Sequence, residues 1–272
     1  MSSTLKKTVL FYGAGNMAEG IIGGMLRNQV IEATSIMVYN RTPARLERLR
    51  EVYRVTPVKD LEWCLAAADI IFLAVKPQDA PAVFPKIRAH GNVDALVISI
   101  CAGVTIARLE EGLGAERRIC KVMPNTLIEA GHGYSAATPN ANITEDDRND
   151  LEIILNSIGQ TMFVPENMFD PFTAFSCGGP AYVMACINAL IDAGVQAGFS
   201  RENSRKMVLE NCLGSALTLL ESDKHPYQII DTMTSPAGVG IEGMYELAVG
   251  GLNGVLMKCV KEAVRRAREL GE

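Results

Sequence analysis

The stretch with the clearest chemical meaning is Gly13-Ala14-Gly15-Asn16-Met17-Ala18, which follows the apolar run 8–12 and opens a helical pattern over 16–28. Glycine at its first position permits a tight turn, and glycine at its third lets a ligand come close to the backbone. The small Ala18 lets the helix lie against the preceding strand. A helix that starts here directs unpaired N–H groups, and the positive end of its dipole, at whatever lies over the turn. The segment therefore suits a dinucleotide diphosphate, with Gly13, Gly15, Asn16 and Met17 as expected contacts. A second strand, 35–39, runs into Tyr39-Asn40-Arg41-Thr42. An acidic residue there would accept a ribose 2′-hydroxyl, but this segment has none, and Arg41 can pair with a 2′-phosphate aided by Asn40 and Thr42. The expected cofactor is NADP(H), with NADH also open. Val75, Lys76 and Pro77 end the apolar run 69–75 and are expected to flank the cofactor's ribose.

Other chemistries find little support. The seven cysteines form no C-x-x-C pair and the chain has three histidines, so no metal site is expected. Neither paired carboxylates nor a Ser/His/Asp set stands at useful spacing. Cys177 precedes a helix start that would lower its pKa, yet no histidine is near it in sequence.

Strand-like and helix-like patterns alternate through the first part. Helix 43–52 begins with Thr42 as N-cap and Pro43 at its first position. The runs 69–75 and 95–100 are nearly continuous in apolar residues, as strands covered on both faces must be. Shorter strands are expected at 118–123, 133–137 and 161–164, with a helix between the last two opened by the capping sequence Thr144-Glu145-Asp146-Asp147. Strand alternating with helix predicts an α/β Rossmann-type doubly wound sheet domain. Beyond Val164 the strand signals stop, and helices are expected at 179–198, 200–222, 226–234, 238–249 and 254–270. The expected division is a dinucleotide-binding domain, 1–164, followed by an all-α domain, 165–272. Several of these helices are apolar on most faces, more than one small bundle would bury, so a homodimer or higher homo-oligomer is expected.

Bulk composition sets outer limits. The chain has 272 residues, 48% hydrophobic and 21% charged, with net charge -5, which leaves no basic excess for nucleic acid. No apolar run is expected to reach the roughly 18 residues that span a bilayer, and the N-terminus, 1–7, is short and polar. A cytoplasmic protein with no nucleic-acid or membrane partner is the expectation.

Six blocks in register resemble the pyrroline-5-carboxylate reductase family over essentially the whole chain: GAGNMA, AVKP, SICAGVT, KVMPNT, FSCGGPAY and DTMTSPAG. The resemblance implies a Rossmann domain, an all-α dimerisation domain, and NAD(P)H-dependent reduction of the cyclic imine Δ1-pyrroline-5-carboxylate to L-proline. It places the cofactor along Gly13, Gly15, Asn16, Met17, Val75, Lys76 and Pro77, and a small cyclic imino acid at a carboxylate site built from Ser235, Pro236, Ala237 and Gly238. Asn125 is implied as a polar contact at the nicotinamide, and Thr234 and Ser235 supply hydroxyls.

The chain departs from the family's pattern on the substrate side. Where the family reads S-G-S-G-P-A-Y, this chain reads Ser176-Cys177-Gly178-Gly179-Pro180, so Gly178 replaces a hydroxyl. Where the family has S-P-G-G-T-T-I, Gly240 replaces the threonine to which an acid or hydrogen-bonding role is assigned, so no catalytic residue is carried over. The family's proline and alanine after M-P-N-T are here Leu127 and Ile128. The substrate set is thus Asn125, Ser176, Gly178, Thr234, Ser235, Gly238 and Gly240. Two alternatives stay open: a related imine or oxo-acid reductase with a reshaped pocket, and a non-catalytic NADP-binding paralogue.

Overall fold

The structure, a computed structural model, describes residues 4–271; residues 1–3 of the polar N-terminus, and Glu272, lie outside the described residues. The apolar runs form β1 (Val9–Tyr12), β2 (Ile36–Tyr39), β3 (Thr56–Pro57), β4 (Ile70–Leu73), β5 (Leu96–Ser99), β6 (Ile119–Pro124), β7 (Gly133–Pro139) and β8 (Gly159–Phe163). They make one sheet in the order β3-β2-β1-β4-β5-β6-β7-β8. All neighbours are parallel except β6 and β7. Between the strands run α1 (Asn16–Arg27), α2 (Pro43–Tyr53), α3 (Leu61–Ala67), α4 (Ala80–His90), α5 (Ile106–Leu113) and α6 (Glu145–Asn156), with the single turn α7 (Phe169–Phe172) after the last strand.

Strand alternation explains the double layer. Val9 and Phe11 of β1 join Ile70 and Phe72 of β4 in one core, against Ile21, Ile22 and Met25 of α1. Leu10 and Tyr12 join Ile71 and Leu73 in the other, against Val83 and Ile87 of α4 and Leu109 of α5. Successive side chains of a strand point to opposite faces, so a strand covered on both sides is apolar at nearly every position, with Ser99 of β5 a buried polar exception. Phe11 and Phe72 stack with ring centroids 4.4 Å apart, which fixes the register of the central pair.

The helix starts follow local chemistry. Thr144 caps α6, its side chain accepting from the Asp147 N–H while the Asp147 carboxylate accepts from the Thr144 N–H. Thr42 stands at the N-cap of α2 without a capping side-chain bond, and Pro43 opens that helix.

Two compact units result. One holds the sheet, runs to Cys177 and takes in the end of the last helix from Ala267; the other is Gly178–Arg266. The first therefore extends past Val164 through a π-helical turn at Thr173–Cys177. The second is helical: α8 (Gly179–Gln196), α9 (Arg201–Leu220), α10 (Pro226–Met233), α11 (Val239–Val249) and most of α12 (Leu252–Gly271). Within it α8 and α9 pack closely, since a Cβ on Gly194 would lie 2.7 Å from Ser204 Oγ. Among its described residues the buried ones are Ile191, Ser204 and Ile229, while Val183, Met184, Leu217, Val249 and Met257 are exposed.

One expectation is corrected here. The helical turns over Glu166–Gln196 include a window long and apolar enough to cross a membrane. Pattern reading broke this run at the start of α8, whereas the turns before Gly179 join it.

Candidate functional site

The order β2-β1-β4 makes the end of β1 the point where successive connections leave in opposite directions, and a ligand cleft opens at the carboxyl ends of such strands. Tyr12 pairs with Tyr39 on one side and with Leu73 on the other. The chain then turns sharply at Gly13, whose φ is +113° and whose N–H donates to the Tyr39 carbonyl at 2.9 Å. That φ favours glycine. Gly15 is the N-cap of α1 and offers no side-chain cap, so the first-turn N–H groups stay available. A Cβ at Gly15 would meet nothing within 4 Å, so the backbone is open to a ligand there.

Gly13, Gly15, Asn40, Arg41, Val75 and Lys76 line one cleft, with a cavity volume of about 300 Å³. Of the other expected cofactor contacts, Asn16 borders an adjacent polar hollow, Met17 packs partly into the core, and Thr42 and Pro77 are exposed beside the cleft ends of β2 and β4. Burial, and then the neighbouring Tyr39, push the Tyr12 phenol above its ordinary range, so it lines the cleft as a neutral group.

Four polar lining or supporting residues are not among those singled out from sequence. Lys86 reaches the cleft from α4 and Tyr12 from the end of β1. Arg45, on the first turn of α2, donates from Nε to the Ala14 carbonyl at 2.8 Å and from Nη2 to Asn16 Oδ1 at 3.2 Å, and its Nη2 also lies 2.5 Å from Glu19 Oε2. The fourth is Asp79, whose Oδ2 lies 2.8 Å from Arg41 Nη2. The segment Tyr39–Thr42 supplies no carboxylate, as expected, but the segment after β4 brings one to Arg41. An acidic residue two places past the V-K-P signal was the available clue.

Of the residues expected to meet the substrate, the first unit brings Asn125 and Ser176 together. Buried Asn125 accepts from the N–H groups of Leu127 and Tyr134 and donates to both the carbonyl and the hydroxyl of Ser176 at 3.3 Å. Its amide thus holds a turn and a neighbour, a positioning duty. In the second unit, Gly178 is the N-cap of α8. Thr234, Ser235 and Gly238 fall in the connection between α10 and α11, and Gly240 lies in the first turn of α11. Thr234 Oγ1 donates to the Ile230 carbonyl at 3.1 Å, Gly238 is the N-cap of α11 without a capping side chain, and its N–H donates to the Ser235 carbonyl at 3.0 Å. Ala237 sits at φ +57°, a left-handed conformation that costs a non-glycine residue about 1–2 kcal/mol.

Cys177 is no reactive thiol. Burial pushes its pKa up to about 11, so the nearby helix start does not make it a thiolate at neutral pH. Among the described residues no group of three or more His, Cys, Asp or Glu side chains could hold a metal ion.

Comparison with known proteins gives matching results. Residues 166–270 match the model described as pyrroline-5-carboxylate reductase dimerisation, and residues 8–103 match that of NADP oxidoreductase, coenzyme F420-dependent. A pyrroline-5-carboxylate reductase of Escherichia coli (strain K12) is 32% identical over 268 residues, covering 98% of this chain and all (100%) of that protein. That of Pisum sativum is 35% identical, covering 97% of this chain and 96% of that one. Among solved structures, a Plasmodium falciparum pyrroline carboxylate reductase with NADP bound superposes with a TM-score of 0.86 at 31% identity, covering 99% of this chain and 100% of that one. A Coxiella burnetii pyrroline-5-carboxylate reductase does so with a TM-score of 0.92 at 30% identity, covering 98% and 100%.

Proposed function

The chain belongs to the pyrroline-5-carboxylate reductase family, and on that premise we infer how its residues divide the work. It is an NADP(H)-dependent oxidoreductase that reduces the cyclic imine of Δ1-pyrroline-5-carboxylate to L-proline, a step of proline biosynthesis. The observation that carries the reading is the turn at Gly13–Gly15 beside a cationic strand end: an uncapped helix start, open space at Gly15, and Arg41 within the same cleft.

The residues present fit a 2′-phosphorylated dinucleotide. Gly13, Gly15 and the N–H groups at Asn16 and Met17 hold the diphosphate, while Arg41, with Asn40 and Thr42, takes the 2′-phosphate. Val75, Lys76 and Pro77 line the ribose. NADH, lacking that phosphate, is the weaker of two usable cofactors. When bound, the reduced nicotinamide supplies a hydride.

The chain's own task is then to position the imino acid and keep its carboxylate neutralised. We assign the carboxylate to the turn before α11, where Ser235 and Gly238 meet the helix start, with Thr234 steadying the preceding helix end. Asn125, Ser176 and Gly178 belong to the same task, the first through its grip on the second. A protonated imine brings its own proton to the ring nitrogen, so hydride addition to the carbon needs no protein acid. A glycine at position 240 is compatible with that chemistry. No catalytic side chain is assigned.

The division at 164/165 is kept as a functional one, separating the sheet from the matched dimerisation region. We propose a homodimer or higher homo-oligomer, since α8, α9, α11 and α12 expose Met184, Leu217, Val249 and Met257. The apolar run over Glu166–Gln196 is accordingly read as facing another subunit and not as a membrane span. A cytoplasmic setting suits the scattered, unpaired cysteines. The purified chain is expected to oxidise NADPH in the presence of Δ1-pyrroline-5-carboxylate. Faster turnover of bulkier cyclic imines would favour a reshaped pocket, in line with the side chains missing at Gly178 and Gly240. Absence of turnover on every imine would overturn both.

A further inference from the structure

Among the residues lining the dinucleotide cleft, Arg41, Lys76 and Lys86 are cations and Asp79 is the one carboxylate. Its Oδ2 lies 2.8 Å from Arg41 Nη2, so the acid faces the arginine that the reading above gives to the 2′-phosphate. Asp79 occupies the N-cap position of α4 yet makes no side-chain capping bond, so the helix makes no claim on its carboxylate. Its backbone is fixed, with the N–H donating to the Lys76 carbonyl at 2.9 Å. The two residues come from the ends of β4 and β2, on either side of β1.

We propose that Asp79 is a specificity-determining residue: its carboxylate competes with the cofactor's 2′-phosphate for Arg41 and so tempers the preference for NADPH over NADH. The proposal rests on the reading of this cleft as the dinucleotide site. A phosphate paired with Arg41 brings a charge of about -1.5 to -2 within a few ångströms of a carboxylate that shares the same guanidinium. Two costs follow, loss of the ion pair and repulsion between like charges. Arg41 is largely solvated, with a side chain 77% exposed, so the pair itself is weak and yields to a ligand. A 2′-hydroxyl incurs neither cost and can donate to Asp79. Removing the charge therefore favours the phosphorylated cofactor selectively, whereas a general rise in cleft potential would strengthen both cofactors through their shared diphosphate.

The test measures dissociation constants of NADPH and NADH for the full-length protein, Asp79→Asn, Arg41→Ala and the double variant. Asp79→Asn is expected to tighten NADPH about two- to fivefold, with NADH unchanged or weaker, and this shift in ratio should vanish in the Arg41→Ala background. If Arg41→Ala weakens NADPH while Asp79→Asn leaves the ratio unchanged or moves it toward NADH, the proposal fails and the reading of the cleft stands. If Arg41→Ala leaves NADPH binding intact, the assignment of Arg41 fails and takes the proposal with it. Should Asp79→Asn weaken both cofactors in parallel, Asp79 is merely structural and the proposal is again overturned. Asp79→Ser, measured alongside with thermal melts, provides a second neutral side chain able to cap α4.

Discussion

Gly13 and Ala74 are in such close contact that a Cβ on the glycine would stand 2.3 Å from the Ala74 carbonyl oxygen. The relationship joins the ends of the neighbouring strands β1 and β4, and it separates two glycines that look alike in the motif. Gly13→Ala must displace backbone and also adopt a positive φ, so a stability loss of about 2 kcal/mol or more is expected. Gly15 has φ -71° and open space around it. Gly15→Ala should melt within about 0.5 kcal/mol of the parent yet bind NADPH at least about tenfold more weakly. Paired thermal melts and cofactor titrations check both. Equal affinity for NADPH in Gly15→Ala and the parent would contradict the placement of the diphosphate.

Gly240 tests the substrate side. A Cβ there would lie 3.3 Å from Thr234 Cγ2, a contact the threonine can relieve by a small shift. Gly240→Thr restores the hydroxyl found in the family, and a hydrogen bond to a charged group contributes about 1.5–3 kcal/mol. Steady-state kinetics should show KM for the imine changing by about ten- to a hundredfold while KM for NADPH moves less than about twofold. The reverse pattern would put position 240 on the cofactor side.

Arg45 is expected to act through the turn it holds. Arg45→Met removes the donors to Ala14 and Asn16 while keeping much of the side-chain bulk. The dissociation constant for NADPH should rise several-fold and stability should drop by about 1–2 kcal/mol. Arg45→Lys should recover little, because an ammonium cannot serve the carbonyl and the amide with the planar fork of a guanidinium. Full recovery by lysine would mean that charge, and not geometry, is what the turn requires.

Three thiols set an alkaline limit. Burial pushes Cys101 and Cys177 up to about 11 and Cys120 up to about 12, against an ordinary value of 9.0. A folded-state pKa above the unfolded one favours the protonated fold, so this stability is complete below about pH 9 and declines as pH rises toward the folded values. Denaturant midpoints should therefore fall between pH 9 and pH 11. Mass spectrometry after brief alkylation at pH 7.5 should find these three cysteines unlabelled until the protein is denatured. Rapid native labelling of Cys177 would contradict its raised pKa.

What the sequence disclosed and withheld follows physical range. Runs such as Ile70–Leu73 and Leu96–Ser99 are legible because burial on both faces leaves a nearly unbroken apolar mark, although the expected bounds overshoot each strand by a residue or more. The turn at Gly13 is legible because one backbone geometry restricts the residue type. β3 is only Thr56–Pro57, too short to leave a pattern, and the antiparallel pairing of β7 with β6 depends on partners that local order does not name. The same holds at the cleft. Arg41 announces itself by following a strand, but the Asp79 that engages it lies 38 residues away and meets it only because β1 comes between β2 and β4. Asn125 shows the opposite limit: the residue stands out within its motif, while its four bonds to Leu127, Tyr134 and Ser176 appear only in three dimensions.

The outward-facing apolar side chains of the helical unit carry a last consequence. In the proposed homodimer a second copy would cover Met184, Leu217, Val249 and Met257, and the free energy holding each copy together would then include a bimolecular term. Melting temperature should then climb with protein concentration, and specific activity should decay on dilution. For such a molecule, abundance itself becomes a determinant of how long it survives.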